Sequence, residues 1–299
     1  MTPRLLIAAA ATLVASFVLA SLAHADGLRA NAGYTGLYDP FPEIQHPCIN
    51  DCERHGRRHH RRHRPPPPDS GPPPDQGLLV DCSGHGQFAT LQDAVKAAQP
   101  NDVIEILAPG EGMTCVGTVD IHIPLTIRSA GGGARAVLQA PDHQSCLTAN
   151  IPLGDALTIE NVTFIARGRE KPCVHVTAGK VLVRNSKIDS RNTNWAFDVD
   201  SSGDLTVEDS TIETDGSGVH AERATVCLKN IHVAVEEGHY GIGVGLDRTD
   251  GTIEGGTFIG GAVGILASSG PRGLKITDSD IRKARTAMRF APGQQGQVE

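Results

Sequence analysis

His175, Asp198 and His220 are separated by 23 and 22 residues, and Asp200 and Glu222 stand two positions beyond the last two of them. If the chain repeats with a period near that length, two imidazoles and three carboxylates come to one face. Such a set can perform acid and base chemistry where local environments separate the pKa values of neighbouring carboxylates. In that reading Asp198, Asp200 and Glu222 are the catalytic candidates and His175 or His220 assists. The same residue types suit a divalent metal held by His175, Asp198 and His220; no other cofactor is expected. Trp195 and Tyr240 add aromatic faces on which a sugar ring can rest. Ligand binding would then fall to His175, Trp195, Asp198, His220 and Tyr240. The competing reading is a solvated polar wall with no ligand.

The element that would position them is written into the chain as a recurring phrase. "LTIENVTF" at 157 returns as "VLVRNSKI" at 181, "LTVEDSTI" at 205, "VCLKNIHV" at 226, "GTIEGGTF" at 251 and "LKITDSDI" at 274, with intervals of 24, 24, 21, 25 and 23 residues. A fixed period of this size signals stacked repeats and is too short for paired helices. The third residue of each phrase (Ile159, Val183, Val207, Leu228, Ile253, Ile276) alternates with polar neighbours at strand period. Two positions later comes Asn161, Asn185, Asp209, Asn230, Gly255 or Asp278, residue types that tolerate a tight bend. A second strand follows in each unit: "VHV" at 174, "FDV" at 197, "VHA" at 219, "IGV" at 242, "ILA" at 265 and "MRF" at 288.

Strand, bend, short strand, loop and strand make one coil of a right-handed parallel β-helix, with coils about 4.8 Å apart. The fold class expected is all-β, a solenoid of about seven coils over 78–292 with an N-terminal capping helix; "LTIRSAGG" at 125 reads as an earlier, looser coil. Two columns then follow from strand alternation. Glu160, Arg184, Glu208, Lys229 and Glu254 alternate in sign from coil to coil and read as a register-fixing ladder of ion pairs. Thr148, His175, Asp198 and His220 point outward in a line on the last strand, with Thr177, Asp200 and Glu222 beside them and Trp195 and Tyr240 at the same edge.

At the start of the domain, "FATLQDAVKAAQPNDVIEILAPGEG" at 88–112 sets Thr90 and Asp93 as an approximate capping box before the apolar run Leu91, Ala94, Val95, Ala98. Such a helix covers a first coil whose edge would otherwise invite pairing. With the following "DVIEI" and "PG", the chain resembles the pectin lyase-like superfamily of right-handed β-helix proteins over about residues 78–292. The resemblance implies the fold and a polysaccharide as ligand or substrate. Its best-known hydrolytic motifs are not complete here. "NVTF" at 161 is similar to pectin methylesterases, whose "DFIFG"-type motif is absent; "NTNWAFD" at 192 is similar to the "NTDG" of polygalacturonases, but Asn194 stands in place of their Asp.

Residues 1–25 read as a cleaved secretory signal, with Arg4, an apolar run from Leu5 to Leu22 and the ending Ala23-His24-Ala25. No membrane span is expected after cleavage, and the mature chain would be secreted or periplasmic. Residues 26–77 form a His/Arg-rich and Pro-rich arm, and 293–299 a polar tail. The run "ERHGRRHHRRHR" at 53–64 carries six Arg against Glu53, while the whole chain is at −7, so the remainder sums to −12. A basic arm on an acidic body suits an envelope polymer; no specific nucleic-acid partner is expected. The "PPPPDSGPPPD" stretch that follows reads as a stiff spacer.

The seven cysteines are Cys48, Cys52, Cys82, Cys115, Cys146, Cys173 and Cys227. Cys146 and Cys173 fall on adjacent coils at a spacing suited to a disulfide, and Cys82 and Cys115 flank the helix. Cys48 and Cys52 are then available to each other, leaving Cys227 over. A zinc site of Cys48, Cys52, His55 and His59 is the alternative, with metal handling by the arm as a narrower functional reading. Together these features favour a secreted β-helix protein that binds a glycan, with a polysaccharide lyase or hydrolase as the alternative.

Overall fold

The computed structural model describes residues 77–108, 114–131, 133–168, 170–191, 193–237, 239–268, 273–291 and 297–298. The chain divides into two units, Met1–Ile44 and Gln45–Glu299, and every described residue lies in the second. The signal, the arm with Cys48 and Cys52, and most of the tail lie outside the described residues.

Two parallel sheets wind into a β-helix. One has 16 strands, from Leu78–Val80 to Thr286–Phe290; the other has eight, from Cys115–Val116 to Asp280–Arg282. The smaller sheet receives one short strand per coil, so the described residues form about eight coils, close to the number expected. The larger sheet carries two columns, because the last strand of one coil runs directly into the recurring phrase of the next; Val174–Arg184 and Trp195–Glu208 are unbroken examples.

The bend that leads into the smaller sheet has a conformational cause. Asn161, Asn185, Asp209, Asn230 and Asp278 all have φ between 47° and 56°, and Gly255 has φ 64°. This left-handed region is open to Gly and tolerated by Asn and Asp, whose side chains hydrogen-bond locally. After two of these bends a buried serine satisfies the turned backbone. The Ser186 hydroxyl donates to the Arg184 carbonyl (2.8 Å) and accepts from the Val162 amide (3.2 Å), and Ser210 does the same for Glu208 (2.6 Å) and Ser186 (3.1 Å). At these two bends the serine pins one coil to the coil before it and pairs the amides of Val162 and Ser186.

Inward residues form one continuous apolar column, with Phe164, Phe197 and Phe258 buried among Ile, Val and Leu. The helix α1, Leu91–Ala97, starts at Thr90, whose hydroxyl oxygen accepts from the Asp93 amide at 3.1 Å, and buries Leu91, Ala94 and Val95 over the first coil. Cys82 and Cys115 are joined by a disulfide across this cap, with Cα atoms 5.3 Å apart. Gln297 and Val298 in the tail add a strand beside Lys275 and Ile276.

Two cysteine expectations change. Cys146 and Cys173 do stack on adjacent coils, with the Cys146 amide donating to the Cys173 carbonyl at 2.8 Å. Their sulfurs, however, are buried thiols 2.9 Å apart rather than a bond, and burial, then the hydrogen bond to Cys146, pushes the Cys173 thiol up. Cys227 is not left over, because it is disulfide-bonded; its partner lies outside the described residues.

Candidate functional site

The cross-coil register decides which side chains meet. Val174, Phe197, Val219, Val244, Ile265 and Met288 pair in succession, and beside them run His175, Asp198, His220, Gly245, Leu266 and Arg289. The inward members through Val219 are fully buried, so alternation turns His175, Asp198 and His220 outward into one line. One coil departs from the expected alignment: Val244, not Ile242, stacks under Val219. A shift of two leaves inward and outward unchanged, since the side-chain period is two. It does change the neighbour of His220, which is Gly245.

Within this line, a single strand serves both histidines. Asp198 reaches forward to the next coil, where its Oδ1 lies 2.7 Å from His220 Nδ1. Asp200 reaches back to the previous coil, its Oδ2 lying 3.1 Å from His175 Nε2. The hydrogen bond to Asp198 raises the His220 pKa; burial opposes this, and the charges of Asp198, Glu222 and Asp247 reinforce it. His175, Asp198 and Asp200 each offer a ligand atom, and these atoms lie within 4.8 Å of one another. The nitrogen and oxygen donors that the structure gathers are therefore His175, Asp198 and Asp200, in place of the His175, Asp198 and His220 set.

Trp195 stands at the start of its strand and stacks on His220, with ring centroids 4.5 Å apart and planes 25° from parallel. The indole continues over Gly245, where a Cβ would touch it at 3.5 Å. That is an ordinary van der Waals distance, so the ring lies directly over this backbone. The residue is half-buried, with its ring against the imidazole.

Two of the expected residues are engaged elsewhere. Glu222 Oε1 takes Arg223 Nη2 at 2.8 Å and Arg248 Nη2 at 3.2 Å, a local ion-pair group that includes Asp247. Tyr240 is 78% exposed and lies under the Arg285 guanidinium, 4.6 Å from ring centroid to Cζ, so its ring contact is with Arg285 and not with the Trp195 stack. The two-residue register shift accounts for this, because it displaces Tyr240 from the column of Trp195. Gly245, Arg223 and Arg248 were not singled out from sequence. Strand alternation marks Gly245 as outward, whereas Arg223 and Arg248 lie in the bends that follow Ser217–Glu222 and Ile242–Asp247, with φ 53° and 51°.

The opposite column forms the expected ladder and extends it. Glu105, Arg128, Glu160, Arg184, Glu208, Lys229 and Glu254 stand in register from coil to coil. Arg128 Nη2 is 2.6 Å from Glu105 Oε1, and Arg184 Nε is 2.9 Å from Glu160 Oε1.

Fold and site together define a parallel β-helix protein with one ladder face and one face of mixed imidazole, carboxylate and indole. No protein-family model matches the chain, and no match is found among curated proteins. Among solved structures it is similar to the catalytic domain of a GH87 α-1,3-glucanase in complex with tetrasaccharides, at 14% identity and a TM-score of 0.34, over 78% of this chain. The chain spans 60% of that chain's length. At that similarity the match carries nothing about substrate or site.

Proposed function

We propose that the protein binds a polysaccharide of the cell envelope or extracellular space on the face of His175, Trp195, Asp198 and His220. The observation that carries this reading is the Trp195 ring stacked on His220 beside two carboxylates. Indole surface packs on the apolar face of a pyranose, while Asp198, Asp200 and His175 offer hydrogen bonds to its hydroxyls. An exposed platform along stacked coils suits an extended polymer better than a small enclosed ligand. Secretion to an oxidising space fits the disulfide between Cys82 and Cys115 and the apolar leader. Among the described residues no helix is long and apolar enough to cross a membrane.

A glycan array probed with the full chain and with Trp195→Ala tests the reading. Retention that depends on the indole supports it; equal retention by both overturns it. A second reading, cleavage of the bound polymer, is favoured by the unequal surroundings of Asp198, tied to His220, and of the more exposed Asp200. Unequal environments are what separates an acid from a base. New reducing ends or unsaturated products from an array hit would support it. Binding without product would leave a binding protein. Glu222, held by two arginines, is the weakest of the three carboxylates for such a role.

A further inference from the structure

We propose that His175, Asp198 and Asp200 form a site for a divalent transition metal on the outer wall of the β-helix. The three side chains come from two adjacent coils and present His175 Nε2 and one oxygen from each carboxylate within 4.8 Å of one another. A tetrahedral ion with bonds of about 2.0 to 2.2 Å to nitrogen and oxygen needs its donors roughly 3.4 Å apart. His175 Nε2 and Asp200 Oδ2 already stand 3.1 Å apart. Small side-chain rotations bring the third donor in. Parallel strands of the β-helix supply the backbone rigidity, because His175 and Asp198 are register partners on neighbouring strands whose inward neighbours are fully buried.

The donor set also selects the ion. One imidazole and two carboxylates suit zinc, cobalt or nickel; calcium prefers six or more oxygens, and magnesium near-ideal octahedral oxygen ligation that retains water. His220, on the next coil and 2.7 Å from Asp198, orients that carboxylate, the role that groups hydrogen-bonded to metal ligands fill. Three protein ligands on an open wall leave coordination positions free toward solvent, and Trp195, on the same strand as Asp198 and Asp200, stands on this face. A sugar hydroxyl or carboxylate resting on the indole would complete the ion's shell. The inference thus deepens the polysaccharide reading of this face, but the titration below uses the metal alone and stands apart from it.

Trp195 is the chain's single tryptophan and stacks on His220, so its fluorescence reports on this face alone. Titrating the full chain with Co²⁺, without glycan, should quench Trp195 saturably, and Zn²⁺ should reverse the quenching by competition. His175→Gln and Asp200→Asn should each weaken the apparent affinity at least ~tenfold, while His220→Gln costs ~10-fold or more through Asp198. Glu160→Gln, on the opposite column, should leave the titration unchanged. The His-rich run at 53–64 offers imidazoles of its own, so a His59→Ala/His60→Ala chain must keep the quenching. Absence of saturable quenching in the parent overturns the proposal. So does quenching that survives His175→Gln and Asp200→Asn but is lost with His59 and His60. A negative titration beside Trp195-dependent glycan retention removes the metal and keeps the polysaccharide; the reverse result removes the polysaccharide and keeps the metal.

Discussion

The two outward columns of the larger sheet are built by the same backbone and differ in what their side chains do for one another. On the ladder face opposite charges stand in register from coil to coil from Glu105 to Glu254, and Glu105 meets Arg128 and Glu160 meets Arg184 in ion pairs. The alternation of sign leaves the column near neutral. On the last-strand face the sequence of types is Thr148, His175, Asp198, His220, Gly245, and no alternation runs through it. Two carboxylates of one strand reach in opposite directions for two imidazoles, and an indole lies across the second. A repeat protein tends to repeat what its stacking requires. Where one face abandons the pattern while its inward neighbours keep it, charge alternation does not account for every side chain, and the proposed ligand would account for the rest.

The largest effect should come from beneath the contrast. Phe197 is fully buried beside the outward residue Asp198, and Phe197→Ala should cost about 3 to 5 kcal/mol of stability, read by denaturant melting. Its loss should also loosen the His175, Asp198 and His220 line, so the variant should bind poorly to any array hit. A melt unchanged from the parent would mean the face does not rest on this core position.

Next in size is the platform itself. Trp195→Ala should weaken glycan retention by about tenfold, in line with the roughly 0.5 to 1.5 kcal/mol carried by an aromatic contact, and should leave the β-rich spectrum intact. Asp198→Ala and His220→Ala should weaken retention as well while costing well under the ~2 to 5 kcal/mol of a large core truncation. If these three bind like the parent and Glu160 or Glu208 variants do not, the functional column and the structural one have been exchanged.

A smaller effect is expected on the second sheet, where Arg167 Nη2 holds Asp189 Oδ2 at 2.9 Å. Burial pushes the Asp189 carboxyl up, but the hydrogen bond and charge of Arg167, with Arg191, outweigh it and hold the group below its ordinary value. A depressed folded-state pKa adds stability that is present above the unfolded value, near 3.8, and is lost as pH falls through the folded one. The gap in melting temperature between the parent and Asp189→Asn should therefore be open at neutral pH and shrink below about pH 4. A gap that widens on acidification would contradict the pairing.

Smallest of all should be Glu160→Gln on the ladder. An exposed ion pair contributes about 0 to 1 kcal/mol, and raising the salt concentration should erase even that difference. A loss of several kcal/mol that persists in salt would show that the ladder does more than keep register.

How much of this was readable in advance follows the distance over which each feature is decided. The recurring phrase, its αL bend at Asn161, Asn185, Asp209, Asn230, Gly255 and Asp278, the helix start at Thr90 and the ladder were legible, because strand alternation and turn chemistry act over two to five residues. The line of His175, Asp198 and His220 was legible for the same reason, since parity survives even a register shift of two. What tertiary structure alone decided is which neighbours each outward side chain takes. A bulge after Val176 and a two-residue offset at Val244 are settled by how loops of unequal length close each coil, and local pattern does not encode that closure. Asp200 consequently turns to His175, Glu222 to Arg223 and Arg248, and Tyr240 to Arg285. The sulfurs of Cys146 and Cys173 meet as alignment required, 2.9 Å apart, because strand register sets where two side chains lie. By itself the sequence determined the coil and the direction each side chain faces; packing across coils determined the company each one keeps, since that depends on contacts between residues more than twenty positions apart.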